Sequence, residues 1–577
     1  MADSVNDSSL EARVARLSPN QRALLEARLR QQPEGGHRVV ARTLASLSIT
    51  HVYGTPGQPA YDTYGMCAKA GLRVIGTRHQ MAAAMMAAAH NYLAGCQQAV
   101  TIVSAGIPTA NALGAAVLAR DNCWPLLVLA TSTGNTAGTS GHFMALDAVE
   151  LYRPIAKMVA RVTETDGIAT AIVRAFEIAG DGRPGPVIVQ LPDHVLTGLE
   201  RPAGAGLPSR ATRRVEQPDP AAVERAAGLL RDAKRPLLIV GSGARWSAPF
   251  AALRQLVDAL ALPFITSPLG RGMLPDDHPL CMNAIRWIAQ SKADVVLVLG
   301  ARLNWTFRHG RLLPADARVI QVDVHPPEFD RDRRPAVGVA SDVGAFLDAL
   351  LRMSETLHHL DAGSPRDPEW PVSLRAARKS AEAKREALAG MDAPGMSALR
   401  LGREIRDALP PGAICILDGN LTMKAMEQMI PVNDPLSRLS PGASGCMGVG
   451  IPFAIVARLL HPARPVIAVC GDFSFGMSAM ELETAIRHRV PVVVVVANND
   501  GNSGSLRQNA HMGAGAESVM RYQPGVRYER IMEMFGGHAQ HVDRPEEIRP
   551  AIERAIASGQ PACINVAIDS EAPFPAD

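Results

Sequence analysis

Apolar residues along this chain fall into two rhythms. Short unbroken runs, HVYG at 51–54, AVTIVSAG at 99–106, WPLLVLATS at 124–132 and GPVIVQLP at 185–192, alternate with stretches whose apolar positions return every three or four residues. The alternation resumes with RPLLIVGSG (235–243), LPFITSP (262–268), ADVVLVLGARLNW (293–305) and ARVIQVDV (317–324). It resumes again with GAICILDGN (412–420), RPVIAVCGDF (464–473), VPVVVVVANND (490–500) and PACINVAID (561–569). Unbroken β-favouring runs predict strands buried on both faces, and the helical stretches between them supply the crossovers that parallel strands need. The expected fold is α/β: three doubly wound parallel-sheet domains and a short helical N-terminal arm.

Breaks in the pattern set the boundaries. Leu17, Leu24, Leu25 and Leu29 recur at helical spacing, and Ser18-Pro19 is a helix start, until QQPEGG ends the arm at Gly36. A linker rich in Pro, Gly, Arg and Ala runs from Glu200 to Pro220, and a polar one from Met353 to Trp370. The expected units are an arm at 1–36 and domains at 37–200, 217–355 and 393–577.

Composition removes several classes of function. The net charge is +3 and aromatics are 4% of the chain, so neither electrostatics nor base stacking argues for a nucleic-acid partner. No clean run of 18 apolar residues exists; the nearest stretch, 99–119, carries Pro108 and Asn111, which argues against a membrane partner. The eight cysteines are spread with no CxxC pair, the pattern of reduced core residues and not of a zinc site. The opening MADSVNDSS has neither a basic nor an apolar leader region, so the expected compartment is the cytoplasm.

The third block carries the chemistry. One buried run ends in Gly471-Asp472, a helical stretch follows, and the next run ends in Asn498-Asn499-Asp500-Gly501, with Asn499 twenty-seven residues after Asp472. A βαβ unit brings the carboxyl ends of two such strands together, where open α/β sheets bind ligands. One carboxylate, one amide oxygen and a nearby carbonyl are hard ligands suited to Mg²⁺ holding a diphosphate. Either pair alone reads equally well as a turn at a strand end; their spacing favours the metal.

GD(F)…NN at this interval resembles the metal–diphosphate motif of thiamine diphosphate enzymes, and TRHQMAAAMMAAAHNYLAG at 77–95 resembles the Arg-His-Glu helix of their pyrimidine-binding domain. The resemblance covers residues 37–570 as pyrimidine-binding, central and diphosphate-binding domains. NCWPLLVL, GARLNW, SAMELETAIRHRVPV and MFGG are most similar to oxalyl-CoA decarboxylases and 2-hydroxyacyl-CoA lyases, with acetolactate synthases next. The resemblance implies Asp472, Asn499 and the Gly501 carbonyl as metal ligands. It implies Gly419, Asn420, Phe473 and Ser474 as the diphosphate cradle. Ser444-Gly445-Cys446-Met447-Gly448 is similar to the segment that bends the cofactor: the Gly445 carbonyl would accept the 4′-amino hydrogen and Met447 would wedge between the rings. Without the motif, Met447 reads as core packing.

The chain departs from the pattern at three places. The family's Glu is Gln80 here, which can hydrogen-bond the pyrimidine N1′ but cannot change charge. The Gly-x-Phe-Gln-Glu stretch of relatives is Gly141-His142-Phe143-Met144-Ala145, where His142 is a candidate proton shuttle or, more plainly, a solvated loop residue. Asn502 and Ser503 stand where the oxalyl-CoA branch has a tyrosine. With Gln80 and His142 they complete the candidate catalytic set. In the second block, Gly241-Ser242-Gly243, Gly300-Ala301-Arg302 and Asp323 end strands in turns that suit ADP or FAD, as in related enzymes. LSPNQRALLEARLRQQ resembles the linker helix that opens peptide synthetase modules, which implies a carrier protein as partner; an arm packing on a neighbouring subunit is an equal reading.

The resemblance implies a thiamine diphosphate and Mg²⁺ enzyme, a lyase, decarboxylase or carboligase acting on a 2-oxo or 2-hydroxy acyl small molecule or thioester. An acetolactate synthase-like carboligase and a non-catalytic cofactor-binding partner of an assembly line remain alternatives. It also implies a homodimer or homotetramer, because one subunit's pyrimidine-binding domain faces another's diphosphate-binding domain.

Overall fold

A computed structural model describes Ser18 and residues 34–134, 143–200, 214–331, 333–353, 365–391, 395–502, 513–569 and 571–572. His142, Ser503 and most of the arm lie outside these residues. The three expected parallel sheets are present. In the N-terminal domain the strands are β1 (His51–Gly54), β2 (Arg73–Gly76), β3 (Ala99–Val103), β4 (Leu126–Ser132), β5 (Met158–Arg161) and β6 (Pro186–Pro192), in the order β2-β1-β3-β4-β6-β5. The central sheet contains β7 (Pro236–Val240), β8 (Phe264–Thr266), β9 (Val295–Leu299), β10 (Arg318–Asp323) and β11 (Val337–Ala340), in the order β8-β7-β9-β10-β11. The C-terminal sheet contains β12 (Ile414–Asp418), β13 (Arg438–Leu439), β14 (Val466–Gly471), β15 (Val493–Asn498), β16 (His538–Val542) and β17 (Ala562–Ala567), in the order β13-β12-β14-β15-β17-β16. Every residue of β4, β6, β7, β9, β12 and β15 is buried, which is why these runs carry no polar alternation.

Six helices bear on the site: α1 (Gln80–Ala94), α2 (Leu113–Asn122), α3 (Glu369–Ala389), α4 (Gly450–Leu460), α5 (Asp472–Ser478) and α6 (Glu481–Arg487). Helices α1 and α4 are apolar almost all round and bury most of their residues, because they pack against each other between the N- and C-terminal sheets. An aromatic chain continues that core through all three domains. Tyr92 stacks on Trp124 at 4.7 Å, Trp124 meets Phe453 at 5.6 Å, and Trp246 meets Tyr92 at 6.0 Å. Helix α3 lies between the second and third blocks and is docked by buried Trp370, whose indole N–H donates to the Pro236 carbonyl, and by Leu374. Among the described residues, no helix is long and apolar enough to cross a membrane.

Candidate active site

Strand β14 delivers Asp472 to the start of α5, and β15 delivers Asn499 to the turn beside it. The turn closes onto the carboxylate: Gly501 N–H donates to Asp472 Oδ2 at 2.8 Å, and Phe473 N–H donates to Oδ1 at 2.8 Å. Gly501 has φ +146°, and a Cβ there would sit 2.2 Å from the Met520 carbonyl oxygen, so only glycine makes this closure. The segment after the turn fixes it further. Asn502 N–H donates to the Met520 carbonyl and Tyr522 N–H to the Asp500 carbonyl, each at 2.8 Å, while the Tyr522 ring stacks on Phe473 at 6.3 Å.

Burial pushes the Asp472 carboxyl up to about 6, against the N–H groups of Gly501, Phe473 and Asn499 that favour the charged form. A nearby cation removes that penalty, so the donor set fits a divalent metal. Among the described residues there is no cluster of three or more His, Cys, Asp or Glu that could hold a metal. What the turn offers is one carboxylate, one amide oxygen and a backbone carbonyl, hard oxygen donors of the kind that suit Mg²⁺. Gly419 and Ser474 come together beside Asp472. A Cβ on Gly419 would lie 3.3 Å from Gly471 N and 3.5 Å from Ser474 Oγ, and the Ser474 hydroxyl donates to the Gly471 carbonyl at 3.0 Å. Asn420 follows Gly419 and precedes the helix Leu421–Met429. Gly445 and Gly448 are left-handed and frame Met447, and a Cβ on Gly448 would touch Met477 of α5 at 2.9 Å.

Gln80 is in the other sheet's domain, at the first turn of α1. Its Oε1 accepts from Asn111 Nδ2 at 3.0 Å. The two residues before it, Arg78 and His79, donate their backbone N–H groups to Glu481 of α6 at 3.0–3.2 Å, and Thr484 donates its hydroxyl to the same carboxylate at 2.6 Å. Glu481 is buried, and burial raises its carboxyl above the usual range. Asn111 and Glu481 are functional neighbours that sequence reasoning missed. Their partners are distant in the chain, and the only sequence trace was Glu481 inside the quoted SAMELETA run.

The two glycine turns of the central domain and Asp323 do converge. Ser242, Gly243, Gly300, Ala301, Arg302 and Asp323 line one cleft that opens to solvent. Its acidic end is engaged: Arg183 of the N-terminal domain pairs with Asp323 at 3.1 Å and with buried Glu328 at 3.0 Å. Arg302 donates to the Asp121 carbonyl.

Three successive family models match the chain: the N-terminal thiamine pyrophosphate-binding domain of thiamine pyrophosphate enzymes at residues 35–151, their central domain at 223–350, and their C-terminal thiamine pyrophosphate-binding domain at 419–566. The chain belongs to the thiamine pyrophosphate (thiamine diphosphate) enzymes. Within them it is similar to 2-hydroxyacyl-CoA lyase 1 of Mus musculus, 32% identical over 563 residues that cover 94% of this chain and 95% of the mouse protein. It is as similar to oxalyl-CoA decarboxylase of Escherichia coli K12, at 32% over 94% of this chain and 96% of that protein. An acetolactate synthase large subunit of Mycobacterium tuberculosis is 30% identical over 93% of this chain and 96% of its own length. The chain is thus a thiamine diphosphate-dependent enzyme of the lyase, decarboxylase and carboligase branch.

Proposed function

We propose that this enzyme cleaves or forms a carbon–carbon bond beside the carbonyl of a 2-hydroxyacyl or 2-oxoacyl thioester, with Mg²⁺ held by Asp472, Asn499 and the Gly501 carbonyl. The observation that carries the reading is the closure of Gly501 onto buried Asp472. Bound there, thiamine diphosphate would supply a stabilised carbanion equivalent at C2. Gly419, Asn420, Phe473 and Ser474 hold the diphosphate end, and Gly445 and Met447 shape the ring end. Gln80 would meet the pyrimidine as a neutral amide: with Oε1 given to Asn111, its N–H groups would be left as donors toward a ring nitrogen. A glutamine cannot change charge, so Gln80 would offer no carboxylate relay for the proton at C2. His142, Asn502 and Ser503 are retained as candidates for handling substrate protons.

The assembly proposed is a homodimer or homotetramer. Ile107 and Phe143 of the N-terminal domain are 74% and 72% exposed, and Met477 of α5 is 54% exposed. Apolar surface at the carboxyl ends of both sheets supports pairing of one chain's N-terminal domain with another's C-terminal domain. The central cleft is proposed to hold an adenine nucleotide such as ADP or FAD, with Arg302 on its wall. The reduced cysteines support a cytoplasmic setting. A carrier protein as substrate handle rests on the arm, outside the described residues.

The test is a panel of 2-hydroxyacyl-CoA, oxalyl-CoA, carrier-bound acyl and free 2-oxo acid substrates, followed for carbon dioxide, aldehyde or formyl-CoA release with and without thiamine diphosphate and Mg²⁺. Cofactor-dependent turnover of a thioester is expected. Turnover of 2-oxo acids alone favours the acetolactate synthase-like reading. No turnover with tightly bound cofactor favours the non-catalytic one.

A further inference from the structure

The segment proposed to bend the cofactor is an arch whose two feet are gripped by buried side chains from different domains. At the first foot stands Asn122, the last residue of α2 in the N-terminal domain, 3% exposed. Its Nδ2 donates to the Pro441 carbonyl at 2.9 Å, and its Oδ1 accepts from Ala443 N–H at 2.9 Å and Ser444 N–H at 3.3 Å. Trp305 of the central domain donates its indole N–H to the Ala443 carbonyl at 2.9 Å. At the second foot stands Asp418, fully buried at the end of β12. Its Oδ2 accepts from Gly450 N–H at 2.8 Å, and the Gly448 and Val449 N–H groups face the same carboxylate. Asp418 Oδ1 is buried with no partner. The fit leaves no slack at Gly450, where a Cβ would sit 2.4 Å from Cys470 Sγ and 3.1 Å from Asp418 Cβ. Between the feet the arch stands clear, and nothing lies within 4 Å of a Cβ placed on Gly445.

We propose that Asn122 and Asp418 are positioning residues that hold the two feet of the 445–447 arch, so that the Gly445 carbonyl and Met447 meet the cofactor in one fixed shape. The proposal rests on the functional reading above, which assigns the arch to the cofactor. A side chain satisfying three backbone groups within four residues fixes a loop far better than one bond does, and the helix-start N–H groups at 448–450 favour a carboxylate. Orientation matters steeply here, since a misplacement near 1 Å costs roughly a hundredfold in a reacting geometry.

The experiment compares Asn122→Ala, Asp418→Ala and the conservative Asn122→Asp and Asp418→Asn, which each keep an acceptor oxygen. In cofactor-free protein, amide hydrogen exchange at 443–444 should rise about tenfold or more in Asn122→Ala, and at 448–450 in Asp418→Ala, with β15 unchanged. With Mg²⁺ and thiamine diphosphate bound, calorimetric affinity should stay within about fivefold of wild type, while C2 hydrogen–deuterium exchange of the cofactor slows roughly ten- to a hundredfold. The conservative variants should fall between, and they carry the test where an alanine variant does not fold. Wild-type C2 exchange despite released arch amides overturns the proposal. So does parallel loss of β15 protection and affinity in all four variants, which makes both residues mere domain glue. Wild-type protein that binds no cofactor overturns the functional reading instead, while the cofactor-free arm still reports whether the arch is held.

Discussion

Strands β1–β6 and β12–β17 take the same spatial order in their own sheets, yet the two sheets end in different chemistry. The C-terminal sheet points carboxylates at its ligand edge. Burial pushes Asp418 up to about 7 and Asp472 up to about 6, and the turn that closes on Asp472 uses left-handed backbone at Asp500. The N-terminal sheet points neutral groups. Thr55 and Thr77 share a hydrogen bond at 3.0 Å, Ser104 donates to the Thr55 carbonyl, and Gln80 is held by Asn111. Two of its histidines are held neutral by the same desolvation: burial lowers His51 to about 4 and His90 to about 3. One scaffold thus serves two jobs. In the proposed reading the carboxylate edge would anchor a metal and diphosphate, and the uncharged edge would receive a ring.

The largest effect that tests this division is at the anchor. Asp472→Ala removes the one carboxylate of the donor set, and calorimetry with Mg²⁺ should show thiamine diphosphate affinity falling roughly a hundredfold or more. Retained affinity would move the anchor elsewhere. Next is the bond between the two domains. Glu481→Gln replaces a buried carboxylate that accepts from Arg78, His79 and Thr484, a loss of about 2 kcal/mol for charge-assisted bonds. Urea unfolding of the cofactor-free variant should show a lower midpoint, with faster amide exchange at 78–79. An unchanged midpoint would mean that the contact does not couple the domains.

A smaller effect separates the domains by pH. In the unfolded chain His90 and His51 titrate near 6.5, so between about 6.5 and 3 the unfolded state binds more protons and the N-terminal domain loses stability as pH falls. Asp418 titrates near 3.8 unfolded and about 7 folded, so the folded state binds more protons in between, and its penalty is relieved as pH falls. In cofactor-free protein, the protection factors of β1 should drop between pH 6.5 and 4.5 while those of β12 hold. A joint drop, or β12 failing first, would break the contrast.

Much of the C-terminal site was legible because it is local. Gly-Asp and Asn-Asn lie at the two ends of one βαβ unit, and the residue types that make the turn also make the proposed ligand set. Strands were legible because β12, β14 and β15 are buried on both faces and carry unbroken apolar runs. Pairings across hundreds of residues were not. Asn122 meets Pro441 319 positions away, and Arg78 meets Glu481 403 positions away, and no periodicity encodes either. The convergence of the central turns on one cleft was legible, but Arg183, which pairs with the acidic residues at its end, comes from another domain. Helix α3 was hidden by its polar composition, since few of its residues, Trp370 and Leu374 among them, are buried. Gln80 stood out by identity, while Asn111, which sets the direction of its amide, needed the fold.

The contrast between a charged anchor and an uncharged ring site comes down to Gln80, and C2 hydrogen–deuterium exchange of the bound cofactor measures it most directly. Wild type should bind Mg²⁺ and thiamine diphosphate yet exchange slowly, and Gln80→Glu should speed exchange about tenfold or more by restoring a group that can carry the N1′ proton. Equal exchange rates in the two proteins, with the cofactor bound in both, would contradict the account.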